Sequence, residues 1–508
     1  MKENWQQQLQ TLLKCDLKSL YPLARSLNRK LKFFVGPTNS GKTYQAMSEL
    51  KNVNSGLYLA PLRLLALEGY EDLKQANIDT SLITGEEQII NEDSSHVCST
   101  IEMLDFDMDI DIAVIDEVQM LDDDDRGWAW VNAIIGCPAK TIIMTGSVNA
   151  LDAVKKIAAY LDEELEIVKF KRKNPLKVLP RHTSLDNMEA GTALIAFSRS
   201  DVLKLKQKLQ KKYKVSVIYG NLSPEVRRDE ARRFREKKAE ILIATDAIAM
   251  GLNLPIKTVL FTTDTKFDGV SRRKITVNEI VQIAGRAGRF GHFEAGFLGA
   301  TRRDVLKYIS QEFESPIRTI KPPFKVKINS QQLEDLASHI KTNSLTKILK
   351  FFKENMSFDG PFIAYNISSM IETSKLIDDR QRLSLQDKYL LSQAPITAKS
   401  KIISQAYEAY IAAVIKNRVC RYKPSITLPK KAQTQKDLLL VEDEVKKISL
   451  YLWLSYKFPE LFPDYDKAVI LRNNFNSFIE TSLKRNLKRE EDNSFHKNNK
   501  FNRRRRYY

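Results

Sequence analysis

The chain has 508 residues, 43% of them hydrophobic, so it is long enough for about three or four domains and can fill their cores. Its 81 lysines and arginines outnumber 63 acidic residues, and the resulting charge of +18 makes a polyanion such as nucleic acid the leading partner class. A solvated basic surface is the alternative interpretation. No apolar run approaches the ~20 residues that cross a bilayer, and four scattered cysteines without zinc-ligand spacing argue against a disulfide framework or a structural metal.

Glycine usage divides the chain into two parts. All but one of the 18 glycines precede residue 300, and Gly360 is the exception. Glycine serves tight turns, so we expect an α/β first part and a mostly helical second part. Residues 1–30 are expected to form a helical segment without the apolar core of a signal peptide.

Two sets of short apolar runs end in polar or glycine-bearing loops. The first set is LKFFVG (31–36), GLYLAP (56–61), IAVID (112–116) and TIIMTG (141–146), and the second is TALIAFS (192–198), VSVIYG (215–220), EILIAT (240–245) and TVLFTT (258–263). Such runs, separated by helix-length segments, indicate buried parallel strands in βαβ units. They predict two similar domains, 31–172 and 173–315, joined within the basic stretch 168–182.

Helical periodicity follows the linker SPIRTIKPPFK, which the prolines Pro322 and Pro323 keep out of helical geometry. A helical domain is predicted over 316–425 and a second over 426–483, with a linker at 421–436. Their apolar stripes predict packing faces rather than ligand contacts. The stripes consist of Ile403, Tyr407, Tyr410, Ile411 and Val414, and of Leu438, Val441, Val445, Ile448 and Leu452.

The tail, residues 484–508, contains ten basic and three acidic residues and ends in RRRRYY. It has too few apolar residues to form a core, so we expect it to be disordered. Such a tail would add sequence-independent phosphate contacts that weaken with salt. A solubility tail without a ligand is the alternative.

The segment GPTNSGKT (36–43) fits the phosphate-binding loop (P-loop) pattern G-x-x-x-x-G-K-[ST]. It follows a predicted strand and precedes a helical stretch, as the motif requires. Backbone amides of the loop and the helix N-terminus would then bind phosphate, Lys42 would reach the terminal phosphates, and Thr43 would ligate magnesium. The loop consists of Gly36, Pro37, Thr38, Asn39, Ser40 and Gly41.

The acidic pair Asp116 and Glu117 ends the predicted strand IAVID. Phosphoryl transfer to water needs a magnesium anchor and a group that orients and deprotonates the water, which are the roles assigned to Asp116 and Glu117 respectively. Alone, such a pair is commonly a loop or capping feature; with the phosphate-binding loop it predicts a nucleoside triphosphatase. Trp128 and Trp130 in RGWAW (126–130) could stack bases, but a core position is favoured.

Further segments follow along the chain. TGS (145–147) ends the fourth run of the first set. With the second set come ATDAIAMGLNL (244–254), DTKFDG (264–269) with Asp268-Gly269 as a predicted hairpin turn, and QIAGRAGRF (282–290). In the last of these, glycines precede both Arg286 and Arg289 and are expected to let the backbone pack closely where the domains meet.

In this order, GPTNSGKT, APLRLLA (60–66), DEVQ (116–119), TGS, ATDAIAMGLN and QIAGRAGR resemble the motif series of superfamily-two helicases. More closely, GPTNSGKTY, APLRLLALE, TGEE (84–87), STIEM (99–103), RGWAW and YGNL (219–222) resemble the mitochondrial degradosome RNA helicase family, which also has bacterial members. The likeness continues through LSLQDKYLLSQAPI (383–396) and YLWLSYKFPELFPD (451–464).

The resemblance implies two tandem RecA-like parallel-sheet domains with ATP between them, followed by mostly helical C-terminal domains over an RNA channel. It assigns nucleotide and magnesium chemistry to the phosphate-binding loop, Asp116 and Glu117, and domain coupling to Gln119. Further roles follow by position. Contact with the RNA strand is implied for Pro61, Arg63, Thr100 and Thr245, and sensing of cleft closure for Asp246 and Gly251. Contact with the γ-phosphate is implied for Gln282, Arg286 and Arg289, and relay of hydrolysis to strand movement for Thr145 and Ser147.

The leading hypothesis is an ATP-dependent RNA helicase, 3′ to 5′, that unwinds structured RNA for RNA turnover beside an exoribonuclease. Two alternatives stay open: an ATP-driven translocase or remodeller on DNA or RNA–protein complexes, and an ATP-gated RNA-binding scaffold. Because the long N-terminal extension of mitochondrial members is not found here, a bacterial cytoplasm is expected, with the mitochondrial matrix as the alternative.

Overall fold

The computed structural model describes residues 14–85, 88–220, 224–249, 254–267, 271–289, 291–327, 330–380, 382–394, 396, 401–428 and 435–479. These residues form two compact units. The first contains the chain up to Pro175 together with Ser315–Ala394, and the second contains the rest. Within the described ranges, no helix is long and apolar enough to span a membrane.

The first unit is built on an eight-stranded sheet. Its strands, with a short β1 outside the sheet, are β1 Lys14–Cys15, β2 Lys30–Val35, β3 Gly56–Ala60, β4 Thr80–Ile83, β5 Gln88–Ile89, β6 His96–Thr100, β7 Ile110–Ile115, β8 Ala139–Gly146 and β9 Leu165–Lys169. The order is β5-β4-β6-β3-β7-β8-β2-β9, and every pair is parallel except β4 with β5. The helices are α1 Pro22–Ser26, α2 Lys42–Leu50, α3 Arg63–Gln75, α4 Gly127–Gly136 and α5 Leu151–Leu161, with 3₁₀ turns at Leu17–Leu20, Ile101–Met103, Val118–Asp122 and Val148–Ala150.

Both faces of this sheet are buried. On β2, Phe33 packs in one core cluster with Leu31, whereas the next residue, Phe34, packs in a second cluster with Tyr58. Successive side chains of a strand point to opposite faces, so the buried positions Phe33 and Phe34 supply apolar contacts on both sides of the sheet. Each fully buried phenylalanine contributes about 1.5–3 kcal/mol. The four strands predicted from the first set of apolar runs are confirmed.

The second unit contains a six-stranded, all-parallel sheet. Its elements are β10 Leu176–Val178, β11 Thr192–Ile195, α6 Arg199–Leu209, β12 Val215–Ile218, α7 Pro224–Arg235, β13 Ile241–Ala244, the 3₁₀ turn Asp246–Ala249, β14 Thr258–Phe261, β15 Thr265–Phe267, β16 Arg272–Lys274, α8 Val277–Ala284, β17 Gly296–Ala300 and α9 Arg303–Glu314. The sheet order is β10-β17-β14-β11-β13-β12. Strands β15 and β16 pair antiparallel as a hairpin, while the predicted turn Asp268-Gly269 lies outside the described residues.

The segment Ser315–Ala394 belongs to the first unit. It contains β18 Phe324–Val326, α10 Ser330–His339, α11 Leu345–Asn355, β19 Ser357–Phe358, β20 Phe362–Ala364, α12 Ser368–Lys375 and α13 Leu385–Ser392. Phe324 and Phe362 lie in the core cluster of Phe33, and β1 pairs with β19. The residues predicted as one helical domain, 316–425, are thus divided at Ala394 between the two units, because short apolar strands in this segment complete the first core.

The C-terminal part consists of helices. They are α14 Lys401–Ile415, α15 Gln435–Lys457 and a helix over 465–479. The predicted packing stripes are confirmed for their buried members, which are Ile403, Tyr407, Tyr410, Ile411, Val441, Ile448 and Leu452. Val414 and Val445 are half-buried, and the Leu438 side chain lies outside the described ones. The tail 484–508 and Met1–Leu13 lie outside the described residues.

Gly288 makes a close backbone contact within the second unit. Its φ is +69°, and an added Cβ would lie 2.3 Å from the backbone nitrogen of Gly296 in β17. Gly288 therefore allows close packing inside the second domain. Its packing at a domain junction stays a prediction. Gly291 also has a positive φ, +82°, but a Cβ added there would meet no described heavy atom within 4 Å.

Gly288→Ala is expected to lower the free energy of unfolding of the second unit by about 3 kcal/mol or more. The cost of the backbone strain is added to the cost of a clash between the new Cβ and β17. The matched control Gly291→Ala suffers strain alone, about 1–2 kcal/mol. Urea and thermal unfolding of both variants measure the difference. Equal losses would show that the contact with Gly296 relaxes without cost.

Candidate active site

The phosphate-binding loop joins β2 to α2, as predicted. Gly41, the residue before α2, has φ +91°, and Asn39 has φ +61°. The Lys42 ammonium donates hydrogen bonds to the carbonyl oxygens of Gly36 at 2.8 Å and Pro37 at 2.7 Å. The loop therefore curls around the lysine at a helix N-terminus, where backbone amides and the helix dipole favour an anion.

Asp116 follows β7 and is buried, with 3% of its surface exposed. Its Oδ1 accepts a hydrogen bond from the Thr43 hydroxyl at 3.0 Å, and the Thr145 hydroxyl donates to the same oxygen. Its Oδ2 accepts a hydrogen bond from the Tyr58 hydroxyl at 3.0 Å. The Trp130 indole donates to the Asp116 carbonyl oxygen at 2.9 Å. Three elements of the first domain thus fix the carboxylate beside the phosphate-binding loop, and a fourth, α4, holds the backbone of the same residue.

The environment of this carboxylate opposes its charge. Burial raises the pKa of Asp116 and the adjacent Glu117 charge raises it further, whereas hydrogen bonds from Thr145, Thr43 and Tyr58 lower it. Burial also raises the pKa of Tyr58 well above its usual value, so its hydroxyl stays a donor at neutral pH. A buried anion of this kind is relieved by a hard cation that its oxygens can ligate.

Glu117 has a left-handed backbone conformation, φ +54°, which is uncommon for a non-glycine residue and costs about 1–3 kcal/mol. The Gln119 side-chain amide donates to the Glu117 carboxylate. The carbonyl oxygen of that same amide accepts a hydrogen bond from the Ser147 backbone N–H at 3.1 Å. The Ser147 hydroxyl in turn donates to Asn149. A continuous chain of contacts therefore links Glu117 to the TGS segment, which begins with the last two residues of β8.

A second group of predicted residues lies at the carboxyl ends of β3 and β6, which are neighbours in the sheet. Pro61 follows β3, Thr100 ends β6, and Arg63 begins α3. The Arg126 guanidinium donates to the Pro61 carbonyl oxygen and to Glu102, both at 2.6 Å. The structure thus brings Pro61 and Thr100 to one edge and ties the Pro61 loop to Glu102 through Arg126.

In the second unit, Thr245 and Asp246 follow β13 at the carboxyl end of that strand. Thr245 is buried, and its hydroxyl accepts a hydrogen bond from the Ala247 backbone N–H at 3.2 Å. The Asp246 carboxylate accepts one from the Lys266 ammonium at 2.8 Å. Gly251 lies outside the described residues.

Gln282 lies on α8, and Arg286 and Arg289 follow the end of that helix. The Arg286 Nε donates to the Ala249 carbonyl oxygen at 3.0 Å. Ala249 ends the 3₁₀ turn that begins at Asp246. The arginine segment, residues 286–289, is therefore in direct contact with the Asp246–Ala249 turn within the second domain.

The structure also identifies residues that the sequence interpretation missed. Tyr58 donates a hydrogen bond to Asp116. The sequence feature that could have identified it is a hydroxyl-bearing residue within an otherwise apolar strand. Arg126 begins the RGWAW segment, but no local pattern indicates its contacts with Pro61 and Glu102. The core position favoured for the tryptophans is confirmed for Trp130, which is fully buried; Trp128 is half-buried and packs against the same core cluster.

The parallel sheets and the residues gathered at their carboxyl edges define a superfamily-two type of nucleoside-triphosphate-dependent motor with two RecA-like domains. Three family models match the chain: the DEXQ-box helicase domain of Suv3 at residues 18–170, the helicase conserved C-terminal domain at 174–291, and the ATP-dependent RNA helicase SUV3 C-terminal domain at 438–485.

Three relatives illustrate the similarity. The mitochondrial DExH-box ATP-dependent RNA helicase DExH16 of Arabidopsis thaliana is 34% identical over 92% of this chain and 83% of its own length. SUV3 of Candida albicans is 34% identical over 88% of this chain and 67% of its own length, and human SUPV3L1 is 32% identical over 91% and 61%. The chain belongs to the SUV3 family of helicases, and it spans about three fifths of the human relative.

Proposed function

We propose that this protein is an ATP-dependent RNA helicase that unwinds structured RNA in the 3′-to-5′ direction for RNA turnover. The observation that carries the proposal is the assembly of Lys42, Thr43, Asp116 and Glu117 at one sheet edge, in a chain of the SUV3 family. The polarity and the role in turnover are supported by the motif resemblance.

ATP and magnesium fit the residues of this edge. The loop from Gly36 to Gly41 and the Lys42 ammonium would bind the phosphates, while Thr43 and Asp116 would hold magnesium. A hydroxyl and a carboxylate oxygen 3.0 Å apart are the hard ligands that this cation prefers. When bound, magnesium neutralises charge on the β- and γ-phosphates.

The remaining residues of the first domain orient the reaction and relay its outcome. Glu117 positions the attacking water and accepts its proton, and the Gln119 amide fixes the Glu117 carboxylate for that role. Gln119 also accepts from the Ser147 backbone N–H, and Thr145 donates to Asp116, so a change at the reacting group can reach both residues. We propose these two residues as the link between hydrolysis and RNA movement.

Other assignments are proposed by position in the motifs. Gln282, Arg286 and Arg289 contact the γ-phosphate during turnover, and Asp246 and Gly251 respond to it. Pro61, Arg63, Thr100 and Thr245 contact the RNA backbone, where phosphate and sugar contacts predominate over base readout.

Partners and location extend the proposal. Single-stranded RNA and structured duplexes are the substrates, and an exoribonuclease would consume the released strand. The relatives described above are named mitochondrial, which supports the mitochondrial matrix as the location. A bacterial cytoplasm stays a sequence-based prediction.

Strand separation tests the function on matched RNA and DNA duplexes that carry either a 3′ or a 5′ single-stranded tail. ATP-dependent separation of the 3′-tailed RNA duplex is expected, with little separation of its 5′-tailed counterpart. The control is Lys42→Ala, which lacks the cation that binds the phosphates. RNA-stimulated hydrolysis without separation of any duplex would favour the translocase, and RNA binding without turnover would favour the ATP-gated scaffold.

A further inference from the structure

One carboxylate ties the β15–β16 hairpin to helix α8 in the second domain. Glu279, on the first turn of α8, accepts two hydrogen bonds from the Arg273 guanidinium of β16, at 2.9 and 3.0 Å. It also pairs with the Lys266 ammonium of β15 at 2.7 Å. Both strands of the hairpin are thus held by the same side chain.

Lys266 extends this connection to the segment after β13. Its ammonium pairs with Asp246 at 2.8 Å as well as with Glu279, and the Lys266 side chain is only 18% exposed. At the other end of α8, Arg286 donates to Ala249, the last residue of the turn that begins at Asp246. Helix α8 is therefore joined to the Asp246–Ala249 turn at both of its ends.

The Glu279 carboxylate stays charged under all physiological conditions. Partial burial raises its pKa, but hydrogen bonds from Arg273, Lys266 and the Thr276 backbone outweigh that effect and hold the pKa at about 2. Glu279 also completes the capping box of α8 with Thr276. Glu279 is consequently ionised near neutral pH, and changes of pH in that range do not alter its charge.

The described part of the hairpin exposes an aromatic and a cationic residue. Phe267 is 59% exposed and pairs in register with Arg272, which is also exposed. An exposed aromatic ring beside a guanidinium suits a single nucleic-acid strand, because bases stack on the ring and phosphates attract the cation. Apolar packing would instead bury Phe267.

We propose that Glu279 is a positioning residue that couples the hairpin to α8. An RNA strand bound to Phe267 and Arg272 then sets the position of the arginine segment and thereby accelerates ATP turnover. The inference rests on the proposed RNA helicase function and adds the route by which RNA stimulates hydrolysis. It requires that the effect of Phe267 on hydrolysis passes through Glu279.

A double-mutant cycle tests this requirement, using a single-stranded oligonucleotide as the RNA and the intact chain. ATP hydrolysis with and without RNA, and the KM for ATP, are measured for wild type, Phe267→Ala, Glu279→Gln and the double variant. Each single substitution is expected to lower the RNA-stimulated kcat by about tenfold. The KM for ATP and the hydrolysis without RNA are expected to stay at wild-type values. The double variant is expected to be no slower than the slower single variant, because the two residues act along one route.

Two further variants separate positioning from folding. Arg273→Met breaks the hairpin arm while leaving the capping box intact, and it should reproduce the loss of RNA stimulation with an unchanged thermal midpoint. Glu189→Gln removes the exposed pair with Lys257 in the same domain and should behave as wild type.

Three results would overturn the inference. Losses that multiply in the double variant would show that Phe267 and Glu279 act independently. Unaltered RNA stimulation in Phe267→Ala would mean that the hairpin meets something other than the RNA strand. Wild-type hydrolysis that RNA does not stimulate would reject the proposed function itself, and this route with it.

Discussion

Glu117→Gln is expected to retain ATP binding and to lower kcat for hydrolysis by about 10²–10⁴-fold, the contribution typical of a positioned general base. Glutamine has nearly the same shape, so the left-handed turn at residue 117 and the contact with Gln119 can persist. An amide, however, cannot take the proton of the attacking water at neutral pH. The loss should therefore fall on the chemical step and not on nucleotide affinity.

Binding of a fluorescent ATP analogue and release of inorganic phosphate measure the two quantities separately. Glu49→Gln is the matched control, since it removes a carboxylate from the same domain at the far end of α2, where Glu49 pairs with Lys32. Hydrolysis by Glu117→Gln at the wild-type rate would end the assignment of Glu117 as the base.

Arg289→Ala is expected to keep ATP and RNA binding but to lose about 10³-fold or more in kcat, as arginine fingers do where the guanidinium stabilises transition-state charge. Arg289 directly follows Gly288, whose backbone is fixed against Gly296 of β17. Because that backbone is fixed, the Arg289 side chain extends from a well-defined position. Single-turnover hydrolysis with saturating RNA measures the loss.

Two other variants distinguish this role from a structural one. Arg286→Ala also removes hydrogen bonds to the Ala249 carbonyl, so it should lower the thermal midpoint as well as kcat. Lys42→Ala should lose nucleotide binding itself. If Arg289→Ala lost ATP binding or unfolded at lower temperature, Arg289 would be structural.

Much of the site could be predicted because its parts are local in sequence. The strand that ends at Val35, the loop in GPTNSGKT and the helix start are contiguous, and their order already places Lys42 at a helix N-terminus. Asp116 was predictable for the same reason, since it ends an apolar run and parallel strands share a carboxyl edge.

Contacts between segments that are distant in sequence could not be predicted from local patterns. Tyr58 and Asp116 are 58 residues apart, and their hydrogen bond depends on β3 lying beside β7. The Arg126 contacts with Pro61 and Glu102 need β3, β6 and α4 to converge. Glu279 was not among the predicted site residues, because its partners Lys266 and Arg273 come near it only when the hairpin folds back on α8.

By itself, the sequence determined the two α/β domains, the phosphate-binding loop, the acidic pair and the helical C-terminal stripes. Apolar periodicity and loop chemistry depend on residues that are close in sequence, so these elements could be predicted from the sequence. Only the tertiary structure decided that Ser315–Ala394 completes the first core, that Gly288 packs on Gly296, and that one carboxylate joins the hairpin to α8. Each of these depends on which strands become neighbours, and strand order is settled by packing of the whole domain rather than by any local pattern.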